Sequence, residues 1–136
     1  MNIQNEMKEL FGGSCYGYCL AWLFGESNDI KYLTSAFLMG WKKGYIDNDG
    51  YVSDPLSYVR LISGKKYRDV LKVAIDGKEM LPICPAIVEM GCPSGGSHFV
   101  VCHRLIDGDV VLDFDPYEVS NSWKAQKFIS YRQFIQ

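Results

Sequence analysis

The 136-residue chain contains no apolar run approaching the roughly 18–20 residues that cross a bilayer. Its first ten residues, Met1–Leu10, are polar and carry charges throughout, unlike the apolar core of a secretory signal. A cytoplasmic protein without a membrane-spanning helix is the expectation. Positive charge is not in excess either: 14 Lys and Arg stand against 16 Asp and Glu, a net charge of −2. That balance lacks the electrostatic footprint of a nucleic-acid or anionic-membrane partner, and neither is expected. Glycine-rich phosphate loops and dinucleotide fingerprints are missing, which removes support for nucleotide chemistry. Internal repeats, low-complexity tracts and linkers are missing too.

Zinc-type C-x-x-C spacing is also absent. The five cysteines, Cys15, Cys19, Cys84, Cys92 and Cys102, are odd in number. Cys92, His98, Cys102 and His103 are spaced irregularly, and along a strand His103 would face away from His98 and Cys102, so they make a poor metal signal. No metal and no cofactor is expected. Apolar neighbours such as Leu20 and Val101 mark most of these thiols as reduced, buried small hydrophobes. Cys15 is the exception.

What the chain does have is 48% hydrophobic and 22% charged residues, ordinary usage for one compact domain with a real core. Residues 1–11 suit a short helix or arm. Cys15 to Phe24 is apolar almost all round and reads as a central buried helix stopped by Gly25. Asn28 or Asp29 caps a second helix, Ile30 to Lys43, with Leu33, Phe37, Leu38 and Trp41 at inward spacing. Ile46 to Val52 reads as a turn or small hairpin. It resembles a calcium loop superficially, but aligning Gly50 with the loop glycine puts Tyr45 and Leu56 where carboxylates belong. Asp54-Pro55 opens a third helix ending near Ile62.

From Tyr67 the pattern changes to β-branched and aromatic runs: Asp69–Ile75, Ile83–Met90, Phe99–Leu105, Val110–Phe114 and Lys127–Tyr131. Asp76-Gly77-Lys78 and Ile106 to Asp109 read as hairpin connections. The fold class is therefore α+β over a single domain, 1–136. The helical part spans about 1–66, and the antiparallel sheet about 67–136.

Chemistry concentrates at three places. Gly12-Gly13-Ser14-Cys15 sets a thiol at the start of the apolar helix, beside unsatisfied N–H groups and the positive end of the dipole. Both favour a thiolate nucleophile. Gly95-Gly96-Ser97-His98 brings an imidazole out of a loop of small residues into a strand. A position at the sheet edge, in the role of general base, is expected for it. His103 lies five positions on and faces the other way. Asp113 and Asp115, two apart on one strand, are expected on one face, either being able to orient the imidazole by accepting its Nδ1–H. Asp115 is preferred, because Asp113 lies deeper inside the strand. Tyr16 and Tyr18 flank the thiol and either line a substrate groove or simply pack. Cys19, one turn beyond Cys15, reads as core.

These residues resemble the papain-like cysteine peptidase superfamily, in particular the compact branch that includes the peptidase domains of bacteriocin-processing transporters. Gly13-Ser14-Cys15-Tyr16 is similar to its Gly-Ser-Cys-aromatic turn, and Ser97-His98-Phe99-Val100-Val101 followed by Asp115-Pro116 is similar to its His strand and Asp-Pro. The resemblance implies a papain-like fold and hydrolysis of a peptide, isopeptide or related amide bond in a peptide or protein substrate. Cys15 would be the nucleophile, His98 the base and acid, Asp115 the orienter, with Tyr16, Gly95, Gly96 and Ser97 beside the substrate. One position departs. Where the family carries a glutamine that donates to the oxyanion, this chain has Glu9, and Gln4 is the substitute if the arm folds over the site. The competing expectation is an inactive papain-like domain that binds a peptide or partner protein in the cleft.

Overall fold

The structure, a computed structural model, describes residues 14–91, 97–116 and 127–136. Within these residues the chain is α+β: three α-helices come first, and a five-stranded antiparallel sheet comes after them. The helices are α1 (Cys15–Phe24), α2 (Ile30–Lys42) and α3 (Pro55–Ser63). Side chains of Asp29 and Asp54 cap α2 and α3 by accepting backbone N–H bonds, and Gly64, at φ 68°, ends α3. The expected arm at residues 1–11 lies outside the described residues.

α1 is the hub. Tyr18, Cys19, Leu20 and Ala21 have no exposed surface, and the core they anchor joins α2, α3 and the sheet residues Ile87 and Val101. The α2 face departs from the hydrophobic pattern. Leu33 and Phe37 are buried as expected, but Leu38 and Trp41 are 40% and 42% exposed, and Ala36 and Gly40 take the inward positions. Close packing explains the exchange. A Cβ on Gly40 would sit 2.7 Å from the Tyr58 ring and 2.9 Å from Ile46 Cδ1, so a small residue is what lets these elements meet. The Ile46–Val52 bridge forms the expected small hairpin, held by Asp47 Oδ1, which accepts from the N–H groups of Asp49 and Tyr51.

The strands are β1 (Asp69–Ala74), β2 (Ala86–Gly91), β3 (Ser97–Arg104), β4 (Val110–Phe114) and β5 (Lys127–Ile135), in the order β1-β5-β2-β3-β4. Asp76-Gly77-Lys78 is not a hairpin turn. β5 separates β1 from β2, and the chain passes between them through a 3-10 turn at Lys78–Met80. β2 accordingly starts later than the apolar run beginning at Ile83, and β5 extends four residues beyond Tyr131 because β1 pairs with its far end. The β3–β4 hairpin closes where expected, with Leu105 N–H bonded to Asp109 O. No helix among the described residues is long and apolar enough to cross a membrane.

Candidate active site

Three contacts set α1 over the sheet. Tyr16 stacks on Phe99 with ring centroids 4.6 Å apart, Cys19 Sγ donates to Phe99 O at 3.4 Å, and Trp22 stacks on Phe114 at 5.6 Å. Positions 16, 19 and 22 share one helix face. Their partners are the neighbours of His98 and Asp115, so the stacking that buries this face also brings Cys15, His98 and Asp115 together.

His98 is the second residue of β3. It is 3% exposed, buried rather than at an open sheet edge, because β3 is flanked by β2 and β4. Its Nε2 bonds Asp115 Oδ1 at 2.8 Å, and each side chain is 4% exposed. The carboxylate therefore takes Nε2 and not the expected Nδ1, which leaves Nδ1 to the other side of the ring. Burial, the largest influence on the imidazole, pushes its pKa down. Hydrogen bonding and charge from Asp115 and Cys15 outweigh it and raise the pKa from 6.5 to about 9. His98 is thus held as an imidazolium between a carboxylate and a thiol.

Asp113 has a different partner. Its Oδ2 bonds His103 Nδ1 at 2.8 Å, so it is not an alternative third member for His98. The expectation that Asp113 and Asp115 share a face fails for a local reason. Cys102 pairs with Leu112 and Val101 pairs with Phe114, which makes Asp113 the extra residue of a β-bulge. A bulge breaks the two-residue alternation and re-aims the side chains beyond it. Burial is also reversed from expectation: Asp115 is 4% exposed and Asp113 16%.

The remaining thiols are set apart from Cys15 by their surroundings. Burial pushes Cys19 well up and Cys102 to about 12, which keeps both protonated and inert. Cys84 is exposed, against the expectation of burial, because it lies in the loop before β2. Cys15 is half-buried and lines a cleft of about 240 Å³ with Ser14, Tyr16, Ser97, Phe99 and the hairpin residues Gly50, Tyr51 and Val52. Ser14, at the N-cap of α1, makes no side-chain cap bond.

Ser97 is fixed from below. Glu89 Oε2 accepts from Ser97 Oγ and Oε1 from Ser130 Oγ, each at 2.8 Å, while Lys72 and Arg132 lie 3.5 Å from Oε1. Burial alone would raise the Glu89 pKa, but these two hydroxyls and two cations lower it overall. Arg132 also sits over the Phe99 ring at 5.2 Å, which ties the network to the cleft wall. Tyr16 is pushed up to about 12, chiefly by burial, and stays a neutral phenol. Tyr18 stacks on Phe37 in the core and has no place at the site.

Of the residues singled out from sequence, Cys15, His98, Asp115, Tyr16 and Ser97 come together. Gln4, Glu9, Cys92, Gly95 and Gly96 lie outside the described residues. Sequence reasoning missed Ser14, Glu89 and the wall formed by Gly50, Tyr51 and Val52. Only Ser14 carried a signal, its adjacency to Cys15. A larger cavity, about 620 Å³, lies at the other end of α1 beside Phe24, Tyr67, Cys84 and Phe134, and is not lined by Cys15, His98 or Asp115. No protein-family model, curated protein or solved structure matches the chain.

Proposed function

We propose that this chain is a papain-like cysteine hydrolase that cleaves a peptide, isopeptide or related amide bond through a thioester, without a cofactor. The observation that carries the reading is the buried His98–Asp115 pair, bonded through Nε2 at 2.8 Å, with Cys15 contributing to the raised pKa of the same imidazole. A nucleophile beside a base that is itself oriented by a third group is the arrangement acyl transfer requires.

In this reading each group has a role. Asp115 fixes the ring, and Nδ1–H is left to hold the proton next to sulfur. The Cys15 thiolate attacks the amide carbonyl, forming the C–S bond and an alkoxide. As the C–N bond breaks, His98 gives its proton to the leaving amine. The neutral imidazole then takes a proton from water, which hydrolyses the thioester and regenerates the thiolate and imidazolium. The cleft that Cys15 lines has no charged side chain among its described lining residues, so it suits an uncharged stretch of peptide chain.

The deciding experiment is the rate of Cys15 alkylation by iodoacetamide from pH 4 to 9, in wild type and His98→Ala. Wild type is expected to label faster than His98→Ala, most of all at the acid end of the range, because an imidazolium beside the sulfur favours the thiolate. Should the two proteins show the same rates across the range, the hydrolase reading fails. The competing reading, a non-cutting peptide-binding domain suggested by Glu9, then replaces it.

A further inference from the structure

Ser14 occupies the N-cap of α1 without acting as a cap. Its backbone lies at φ −144° and ψ 2°, and its side chain accepts nothing from the first turn. Its carbonyl nonetheless starts the helix by accepting from Tyr18 N–H at 3.1 Å. Only 2% of the residue is exposed, and among the described residues its hydroxyl has no hydrogen-bond partner. A buried hydroxyl with no partner is costly to keep. It lies in the wall of the same cleft as Cys15, immediately before the nucleophile in sequence.

Resting on the hydrolase reading, we infer that the Ser14 hydroxyl is a catalytic oxyanion donor in this chain. When Sγ of Cys15 bonds to a carbonyl carbon, the C=O π electrons move to oxygen and leave a negative charge beside the α1 N-terminus. Ser14 Oγ–H donates a hydrogen bond to that oxygen while keeping its proton, and the Cys15 N–H donates the second. The Cys15 N–H is held by the helix start, and the Ser14 hydroxyl, committed to no other partner among the described residues, has its proton to give as charge develops.

The test compares two reactions of Cys15. Acylation by p-nitrophenyl acetate passes through a tetrahedral oxyanion, in which the C–S bond forms, the oxyanion collapses and p-nitrophenolate leaves. Iodoacetamide displacement forms C–S and expels iodide with no oxyanion. Rates are corrected by subtracting those of Cys15→Ala, which removes the reaction at exposed Cys84. Ser14→Ala is expected to lower acylation roughly 10²-fold while alkylation stays within about 2-fold of wild type. The Thr and Val variants, similar in shape, control for packing: Ser14→Thr should retain acylation and Ser14→Val should fall as far as Ala. An unchanged ratio of acylation to alkylation in Ser14→Ala overturns the assignment, as does equal loss in Thr and Val. Loss of the His98-dependent alkylation profile in wild type sinks the hydrolase reading itself, so the two failures are distinct.

Discussion

His98 and Asp115 are joined through Nε2 at 2.8 Å, with both side chains almost completely buried. This one bond leaves Nδ1 directed away from the carboxylate, and it makes Asp115, not Asp113, the group that sets the charge of His98. In an Asp115→Asn variant the His98 imidazole is expected to titrate well below its wild-type value of about 9, as read from its Cε1–H proton resonance. Asp113→Asn should leave that titration in place, because its partner is His103. Were Asp113→Asn to move His98 and Asp115→Asn to leave it, the assignment would be reversed.

The same pair has a consequence for stability. A histidine whose pKa is raised on folding, here from 6.5 to about 9, binds its proton more tightly in the native state. The stabilisation is fully present below pH 6.5 and is lost as pH rises through about 9. A difference of this size corresponds to something on the order of 3 kcal/mol. Urea midpoints measured from pH 6 to 10 should therefore fall across that window in wild type. In Asp115→Asn the fall should be smaller and come at lower pH. Identical curves for the two proteins would contradict the coupling.

Packing around Gly40 gives a prediction independent of the chemistry. Replacing a helical glycine with alanine ordinarily gains about 0.5–1 kcal/mol. At Gly40, however, the new Cβ meets the ring of Tyr58, which has no exposed surface, at 2.7 Å, and Ile46, which is 1% exposed, at 2.9 Å. Overpacking of that kind costs about 1–3 kcal/mol, so the sign is expected to be destabilising. Leu38→Ala, on the 40% exposed face, serves as the mild control. A Gly40→Ala protein as stable as wild type would show that the helix and the hairpin can part without penalty.

Local rules and long-range pairing divide what is legible in this chain. Helix starts and stops at Asp29, Asp54 and Gly64, the hub helix at Cys15 and the β3–β4 turn obey local rules, and local rules are visible in sequence. The exposure of Leu38 and Trp41 is not, because periodicity names a stripe but not the close approach that Gly40 permits. Strand order escapes for a similar reason: β5 inserts between β1 and β2 through long-range pairing, and no neighbouring residue records it. Depth in the strand selects Asp115 over Asp113 for a reason that the structure reverses. The actual cause, a bulge at Asp113, leaves no mark in a run of Val-Val-Leu-Asp-Phe. That Cys15, His98 and Asp115 meet is legible because chain order and motif point to it, whereas Glu89 looks like any polar position on a strand.

Glu89 connects the sheet to the cleft, and its removal should separate two effects. The carboxylate accepts from Ser97 and Ser130 and faces Arg132, whose side chain is 15% exposed, and Lys72, 60% exposed. The Lys72 contact contributes little at that exposure, so the hydroxyl bonds and Arg132 dominate. Glu89→Gln keeps the shape but offers one carbonyl oxygen in place of two and leaves Arg132 without its counter-charge, a cost of about 1–3 kcal/mol. Because the Glu89 pKa is lowered on folding, its stabilisation is present above the unfolded value of 4.5 and is lost as pH falls through the lower folded value. The variant should therefore lose stability at pH 7, and its stability should fall less steeply with acid than that of wild type. Ser97 would also lose its anchor, so acylation of Cys15 should slow although the thiol and imidazole are untouched. If urea midpoints from pH 2 to 7 run parallel in the two proteins, Glu89 has no special charge to lose. Its bonds to Ser97 and Ser130 would then be those of any surface carboxylate.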